Sequence, residues 1–267
     1  MAPRVLAVVQ ARLGSTRLPG KALMAIAGRS MLSHVLARAR AIAGVERTVL
    51  ATTVSPEDDA LAELAHREGV PSVRGSVEDV LDRFQAAFRA HPADAVVRIT
   101  ADCPLLDPEV SGLVVRDYLE HREHADYVSN VEPPTYPDGL DTEICSGEVL
   151  ERAWREARLP SEREHVTTYV RNPKNGFRLR NVVHLEDLSA CRWTVDESRD
   201  LEFVRAIYAE LAPDGRRLFG MREVLDLLRQ RPELAAVNAG IARNEGLRRS
   251  LQRDSSPTRL EQRGAGR

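Results

Sequence analysis

Cysteine is scarce in this chain of 267 residues: only Cys103, Cys145 and Cys191 occur, far apart and without a CxxC pair. That argues against a disulfide framework and a cysteine zinc site and leaves three ordinary reduced thiols. Lysine is scarcer still. Lys21 and Lys174 are the only two among 38 basic residues, so a lysine at either place carries more information than usual. No hydrophobic run is long enough for a membrane span, and the apolar stretch Val5–Val9 gives way to Gln10 and Arg12, too short for the core of a secretory signal. The expected location is the cytoplasm, with no membrane partner. An excess of charge is missing as well: 38 basic residues face 40 acidic ones for a net charge of -2, so no general basic field exists to hold a nucleic-acid backbone. Any phosphate is expected to be bound locally. What the chain does have, 43% hydrophobic and 29% charged residues, fits a globular protein with a real core.

Apolar runs of strand length alternate with amphipathic stretches of helix length. Val5–Val9, Thr48–Thr53, Ser72–Val73 and Ala95–Ile99 read as strands. Between them, Met31–Arg40 reads as a helix capped by Ser30, Ser55-Pro56 with Asp58 as the start of a helix stopped by Gly69, and Val77–Arg89 as a third helix. Asp107-Pro108 opens another. The pattern is βαβαβ, which predicts an α/β fold with a mostly parallel sheet covered by helices. From Asn130 to His184 the character is mixed α+β, with Pro133, Pro134, Pro137 and Gly139 in a loop, as an insertion would have. Alternation returns with Arg192–Val195 as a strand, then helices over Leu201–Leu211, Met221–Arg229 and Pro232–Ala239. The reading gives one domain over 1–246 and a disordered basic tail over 247–267.

Ligands of such sheets sit beyond the carboxyl ends of the strands, which directs attention to the loop after the first one. Gln10-Ala11-Arg12-Leu13-Gly14-Ser15-Thr16-Arg17-Leu18-Pro19-Gly20-Lys21 gathers two glycines, two hydroxyls, two arginines and a lysine, the backbone amides and fixed positive charge that a polyphosphate needs. It is not a P-loop, because five residues separate Gly14 from Gly20 and Ala22 follows Lys21 where a magnesium-binding hydroxyl would stand. A long surface turn with solvated arginines would read the same way. Asp102 ends the strand before Cys103-Pro104 and can hold a metal on a nucleotide or simply cap the turn. Asp196 follows Trp193-Thr194-Val195 and is either a second metal carboxylate or a helix cap. Two mid-chain clusters, Tyr136 to Glu143 and Ser161 to His165, hold the remaining dense polar groups. Ser161 to Glu164 also has the Ser-x-x-Glu spacing of a capping box, and His165 reads as a proton carrier or as a hydrogen-bonded structural residue.

QARLGSTRLPGK at 10–21, VLDR at 80–83, RITADCPLLDP at 98–108, TYPDGLDTE at 135–143, LPSEREHVT at 159–167 and RWTVDESRDLEFV at 192–204 together resemble the spore coat polysaccharide biosynthesis protein F family. That family is similar to the cytidylyltransferases that activate acidic sugars, and the resemblance runs from about Val5 to Gly246. It implies a Rossmann-like sheet sandwiched by helices, the nucleotide-diphospho-sugar transferase architecture, in which Arg12, Gly14, Ser15, Arg17 and Lys21 bind the triphosphate. Asp102 and Asp196 are then the Mg²⁺ ligands and, with Lys21 and Arg12, the catalytic groups, while Arg74, Asp82 and Arg83 lie toward the base. The acceptor side takes Arg98, Tyr136, Asp138, Asp141, Glu143, Arg163, Glu164, His165 and Arg192. The implied activity is transfer of a nucleotidyl group, cytidylyl from CTP, to a small acidic sugar, phosphate or phosphonate acceptor with release of pyrophosphate, by a homodimer that binds no nucleic acid. Two other readings stay open on the residues alone: a metal-dependent glycosyltransferase with a nucleotide-sugar donor, and a nucleotide-binding protein without activity. The Asp-x-Asp motif common in the former is absent around Asp102, where the chain reads Ala-Asp-Cys.

Overall fold

The computed structural model describes residues 3–254. The chain opens with β1 (Val5–Gln10), buried from Val5 to Val9. A long loop, the two-residue hairpin β2 (Ala25–Ile26) and β3 (Arg29–Ser30), and helix α1 (Met31–Arg40) lead to β4 (Arg47–Thr53). The Ser30 hydroxyl caps α1 by accepting the Ser33 N–H at 3.1 Å. Then follow α2 (Asp59–Arg67), β5 (Ser72–Gly75), α3 (Val80–Ala90), β6 (Ala95–Thr100) and α4 (Pro108–His121). Asp107 caps α4 through one carboxylate oxygen, which accepts the Glu109 N–H at 2.7 Å, and takes the Met221 N–H at 2.6 Å with the other.

The mixed segment is woven into the same sheet. After β7 (Tyr127–Ser129) it supplies β8 (Glu143–Ser146), the helices α5 (Gly147–Glu156), α6 (Pro160–Glu164) and α7 (Thr168–Arg171), and β9 (Leu179–Asn181). The strand order is β5-β4-β1-β6-β8-β7-β9. β5, β4, β1 and β6 run parallel; β8 is antiparallel to both of its neighbours, and β7 and β9 are again parallel to each other. The mostly parallel sheet sandwiched by helices is the architecture expected from the alternation. Side-chain alternation along β1 divides the core, with Val5, Ala7 and Val9 packing toward α1 and α4, and Leu6 and Val8 toward α3 and α5. A further apolar cluster around Trp193, Phe203 and Tyr208 is closed by α8 (Ser198–Leu211), α9 (Met221–Gln230) and α10 (Pro232–Ala236).

Four local expectations change. Arg192–Val195 is extended but pairs in no ladder: the Trp193 N–H donates to Asp138 O at 2.6 Å and the Val195 N–H to Asp102 O at 2.8 Å, so the segment ties two loops together. Ser55 does not cap a helix. Pro56–Asp58 form a 3₁₀ turn ahead of α2, and Asp58 instead accepts the Leu13 N–H at 2.7 Å and the Thr53 hydroxyl. Ser161 lies inside α6, whose start is held by Glu162 accepting the N–H groups of Arg158 at 2.9 Å and Leu159 at 3.0 Å. Residues 247–254, expected in a disordered tail, belong to the helix α11 (Glu245–Asp254), which packs on α6; the rest of that tail, 255–267, lies outside the described residues.

The turn that pairs with residues 191–194 depends on Gly139, whose φ is +111°. A Cβ there would come within 2.7 Å of the Thr194 nitrogen and of the Trp193 carbonyl carbon, both backbone atoms that cannot swing aside. Gly139→Ala is expected to cost about 2–3 kcal/mol by combining a left-handed φ with overpacking. Urea unfolding reads this directly; a midpoint equal to the parent's would refute it.

Candidate active site

The carboxyl ends of β1, β4, β5 and β6 share one edge of the sheet, and the chain leaves β1 and β6 in opposite directions to reach its next strands. A crevice opens at such a switch point. Here it is a cleft of about 290 Å³, floored by Gln10, Thr100 and Asp102 and faced by Arg12, Ser15, Arg17 and Lys21. The loop after β1 is held in shape by its own backbone, since Leu13 O accepts the N–H of Ser15 at 2.7 Å and of Gly20 at 3.1 Å. Asp58, 1% exposed, pins Leu13 from below. Gly20, at φ +71°, then turns the chain so that Lys21 points back across the strand ends.

Lys21 is the centre of the site. Its Nζ donates to Asp102 Oδ2 and Asp196 Oδ1, both at 2.9 Å, and to Val195 O at 2.7 Å. Burial alone would lower the pKa of this ammonium, but the two carboxylates outweigh it and raise it above the ordinary lysine value. Asp102 responds in the opposite sense: burial pushes its carboxyl up, and Lys21 with the Thr100 hydroxyl holds it well below the usual range. Asp196 also pairs with Arg17 at 2.9 Å and Arg192 at 3.2 Å. Behind it Arg192 is gripped by Asp200, fully buried, at 2.9 Å, and Asp200 accepts the N–H groups of Asp196 and Glu197.

A smaller cavity of about 200 Å³ adjoins the cleft and shares Arg17, Thr100, Asp102, His165 and Asp196 with it. Arg98, Asp138, Asp141 and Arg192 line its far side. Burial and the neighbouring Asp141 push the Asp138 carboxyl up to about 7, against the pull of Arg243 and Arg192. Arg98 pairs with Glu143 and keeps a buried Nε without a partner among the described residues. Burial, reinforced by Arg98, lowers His165 to about 4, so it is neutral at pH 7, with Nε2 3.0 Å from Ser250 Oγ.

Of the expected phosphate ligands, Arg12, Ser15, Arg17 and Lys21 face the cleft, and Gly14 shapes the loop from outside it. Asp102 and Asp196 converge as expected. The three residues assigned toward the base do not line the cleft. Asp82 accepts the Trp154 indole N–H at 2.8 Å, Arg74 is tied to Thr53 O and Ser55 O, both at 2.8 Å, and Arg83 is buried beneath the turn at Ser76 and Val77. On the acceptor side Arg98, Asp138, Asp141, Arg192, Glu164 and His165 reach the cavities. Tyr136 is buried against His184, Glu143 sits under Arg98, and Arg163 is engaged by Asp79 and Trp154 O. Unforeseen contributors are Thr100, Thr194 and, from α11, Arg249, Ser250 and Arg253.

Asp102 and Asp196 suit a magnesium ion: two hard carboxylates, their oxygens already converging on one cation, open toward a cleft where phosphate oxygens would complete the shell. Among the described residues no group of three or more His, Cys, Asp or Glu that could hold a metal ion forms.

Glu143 gives the site a pH-dependent foundation. Burial would raise its carboxyl, but Arg98, Arg171 and the hydroxyls of Thr167 and Tyr127 hold it at about 2, against about 4.5 when free. The stabilisation is therefore complete above about pH 4.5 and drains away as the pH falls toward 2, an amount of about 3 kcal/mol. Glu143→Gln should flatten this acid limb in urea titrations between pH 5 and pH 3; an unchanged slope would overturn the assignment.

The comparisons with known proteins agree with this geometry. The family profile described as cytidylyltransferase matches residues 6–229. The chain is 30% identical over 240 residues to the spore coat polysaccharide biosynthesis protein SpsF of Bacillus subtilis, covering 86% of this chain and 96% of that one. It is 29% identical over 246 residues to a 3-deoxy-manno-octulosonate cytidylyltransferase of Anaeromyxobacter, covering 87% and 98%. A solved cytidylyltransferase from Leptospira borgpetersenii superimposes with a TM-score of 0.83 at 30% identity, over 90% of this chain and 99% of that one. With a family match that spans most of the sheet and a phosphate-ready cleft at its switch point, the chain belongs to the cytidylyltransferase family and is a nucleotidyltransferase.

Proposed function

We propose that the protein transfers a cytidylyl group from CTP to an oxygen of an acidic sugar and releases pyrophosphate, with Asp102 and Asp196 as the magnesium ligands. The observation that carries this is the convergence of Lys21 with both carboxylates at the strand ends, in the same cleft as Arg12 and Arg17. The acceptor oxygen attacks the α-phosphorus, the bond to the bridging oxygen of the β-phosphate breaks, and the negative charge leaves on pyrophosphate. No protein nucleophile is needed, so catalysis consists of alignment and charge stabilisation. Lys21, Arg17 and Arg12 neutralise the departing pyrophosphate, and the rigid Asp200–Arg192–Asp196 relay keeps Asp196 facing the cleft. A magnesium ion held by Asp102 and Asp196 would supply Lewis-acid stabilisation of the phosphoryl oxygens.

Two observations support an anionic acceptor in the adjoining cavity. Arg98 and Arg192 line it with guanidinium groups, and relatives of the family include a 3-deoxy-manno-octulosonate cytidylyltransferase. The reaction belongs in the cytoplasm, where CTP is supplied. A homodimer is supported by the exposed Leu179, Val183 and Leu185 on and beyond β9, at the free edge of the sheet. Light scattering should give twice the chain mass, and Leu185→Asp should reduce it; a monomeric parent ends that part of the proposal. The function itself is tested by pyrophosphate release with Mg²⁺, each of the four nucleoside triphosphates and a panel of acidic sugars, sugar phosphates and phosphonates, with Asp102→Ala as the blank. Release that needs CTP and one acidic sugar is expected. Release with a different nucleotide, or none while CTP fails to stabilise the fold, would refute it.

A further inference from the structure

Helix α11 lies beyond residue 229, where the family match ends, yet it builds one wall of the nucleotide cleft. Arg249 and Arg253, four residues apart on one face, both line that wall. The helix is moored rather than loosely laid. Ser250, 2% exposed, donates to Glu164 at 2.6 Å and lies 3.0 Å from His165 Nε2, and Asp254 Oδ1 accepts the Ser161 N–H at 3.0 Å. At its first turn Glu245 pairs with Arg17 at 3.0 Å and with Arg249 at 2.7 Å. One carboxylate thus occupies two guanidinium groups, both of which line the cleft.

We propose that α11 is part of the triphosphate site: Arg249 and Arg253 bind phosphate oxygens, and Glu245 holds Arg17 and Arg249 in place until the polyphosphate replaces it. This rests on the nucleotide-binding reading above. The charge arithmetic favours it. The loop after β1 brings three cations, Arg12, Arg17 and Lys21, but Asp102 and Asp196 at the same strand ends and Glu245 on α11 pair with Lys21 and Arg17, so the loop side alone offers a triphosphate little uncompensated positive charge. The exposed Arg253, and Arg249 once Glu245 is displaced, add positive charge from α11, and charge-assisted contacts to phosphate are the strong ones. Arg248 is the internal control: it is exposed on the same helix but donates to Arg243 O at 2.6 Å and does not line the cleft.

Calorimetric binding of inorganic triphosphate and of CTP to the full chain tests this without turnover. R249A/R253A should weaken both ligands by about tenfold per arginine. R248A should leave both unchanged. E245Q separates a ligand-binding helix from a mere brace: freeing Arg17 and Arg249 should tighten both ligands severalfold, whereas a helix that only braces the fold would let go and weaken them. Unchanged affinity in R249A/R253A, or weaker binding in E245Q, overturns the proposal. A parent that binds triphosphate through these arginines but not CTP sinks the cytidylyl reading and leaves α11 standing; a parent that binds neither removes both.

Discussion

Asp102→Asn is expected to cut pyrophosphate release by a factor on the order of 10³, and Asp196→Asn is expected to do the same. The two carboxylates do not share this role with neighbours. Asp102 is fixed by the end of β6 and by Lys21, and Asp196 by the extended 192–195 segment and Arg192, so neither can shift to cover the other's loss. The asparagine side chain keeps the shape and the hydrogen-bonding oxygen but removes the charge that both Lys21 and a magnesium ion answer to. Single-turnover reactions with CTP, with folding checked by thermal melting, give the number. Activity within tenfold of the parent in either variant would mean that the metal ligands have been misassigned.

The second large effect is expected at Lys21, and it is double. Lys21→Met leaves Asp102 and Asp196 facing one another without the ammonium that lies 2.9 Å from each. Breaking a fully buried pair costs about 3–5 kcal/mol; here both carboxylates retain some solvent, so roughly 2–3 kcal/mol is expected. The sign with pH follows from the depressed Asp102: the loss is full above the ordinary aspartate pKa and closes as the pH falls and Asp102 protonates. Turnover should fall about 10²- to 10³-fold, the usual effect of removing one preorganised donor. Lys21→Arg should restore little, because a planar fork cannot replace one compact charge donating to two carboxylates and the Val195 carbonyl together. Equal stability in Lys21→Met at pH 7 would show that the bridge carries no weight, and full activity would remove Lys21 from the reaction.

The frame of the fold was legible because its signals are local. Val5–Val9 is apolar without interruption and Ala95–Ile99 is broken only by Arg98, since both faces of β1 and β6 are covered, and Ser30 and Asp107 cap the helices they precede. Asp102 could be singled out because it stands just beyond β6, Lys21 because it closes the cationic loop after β1, and Asp196 because it follows the strand-like run Trp193–Val195. What failed is equally physical. Trp193 and Val195 alternate with polar residues as in a strand, but their amides are spent on the loops at Asp138 and Asp102. Helix α11 buries little beyond Ser250, so its composition resembles a solvated tail; the partners that order it, Glu164, His165 and Arg17, are far off in sequence. Asp82 was assigned by motif, and nothing in the sequence places the Trp154 indole against it. Neither could the sequence show that Asp58 reaches back to hold the loop at Leu13.

The single reversed strand has a consequence of its own. Because β8 runs against β6, with Glu143 beside Arg98, the chain enters β8 at the cleft edge, whereas it leaves β1 and β6 there. Arg12, Arg17, Lys21 and Asp102 are thus delivered after strands, and Asp138 and Asp141 before one. The segment at 131–142 enters β8 at the cleft edge and is tied through Asp138 to Cys191 and Trp193, so it is coupled to the stretch that carries Asp196. A change in the 131–142 loop is therefore expected to be felt at Asp196 as well, through Asp138 and the 191–195 stretch.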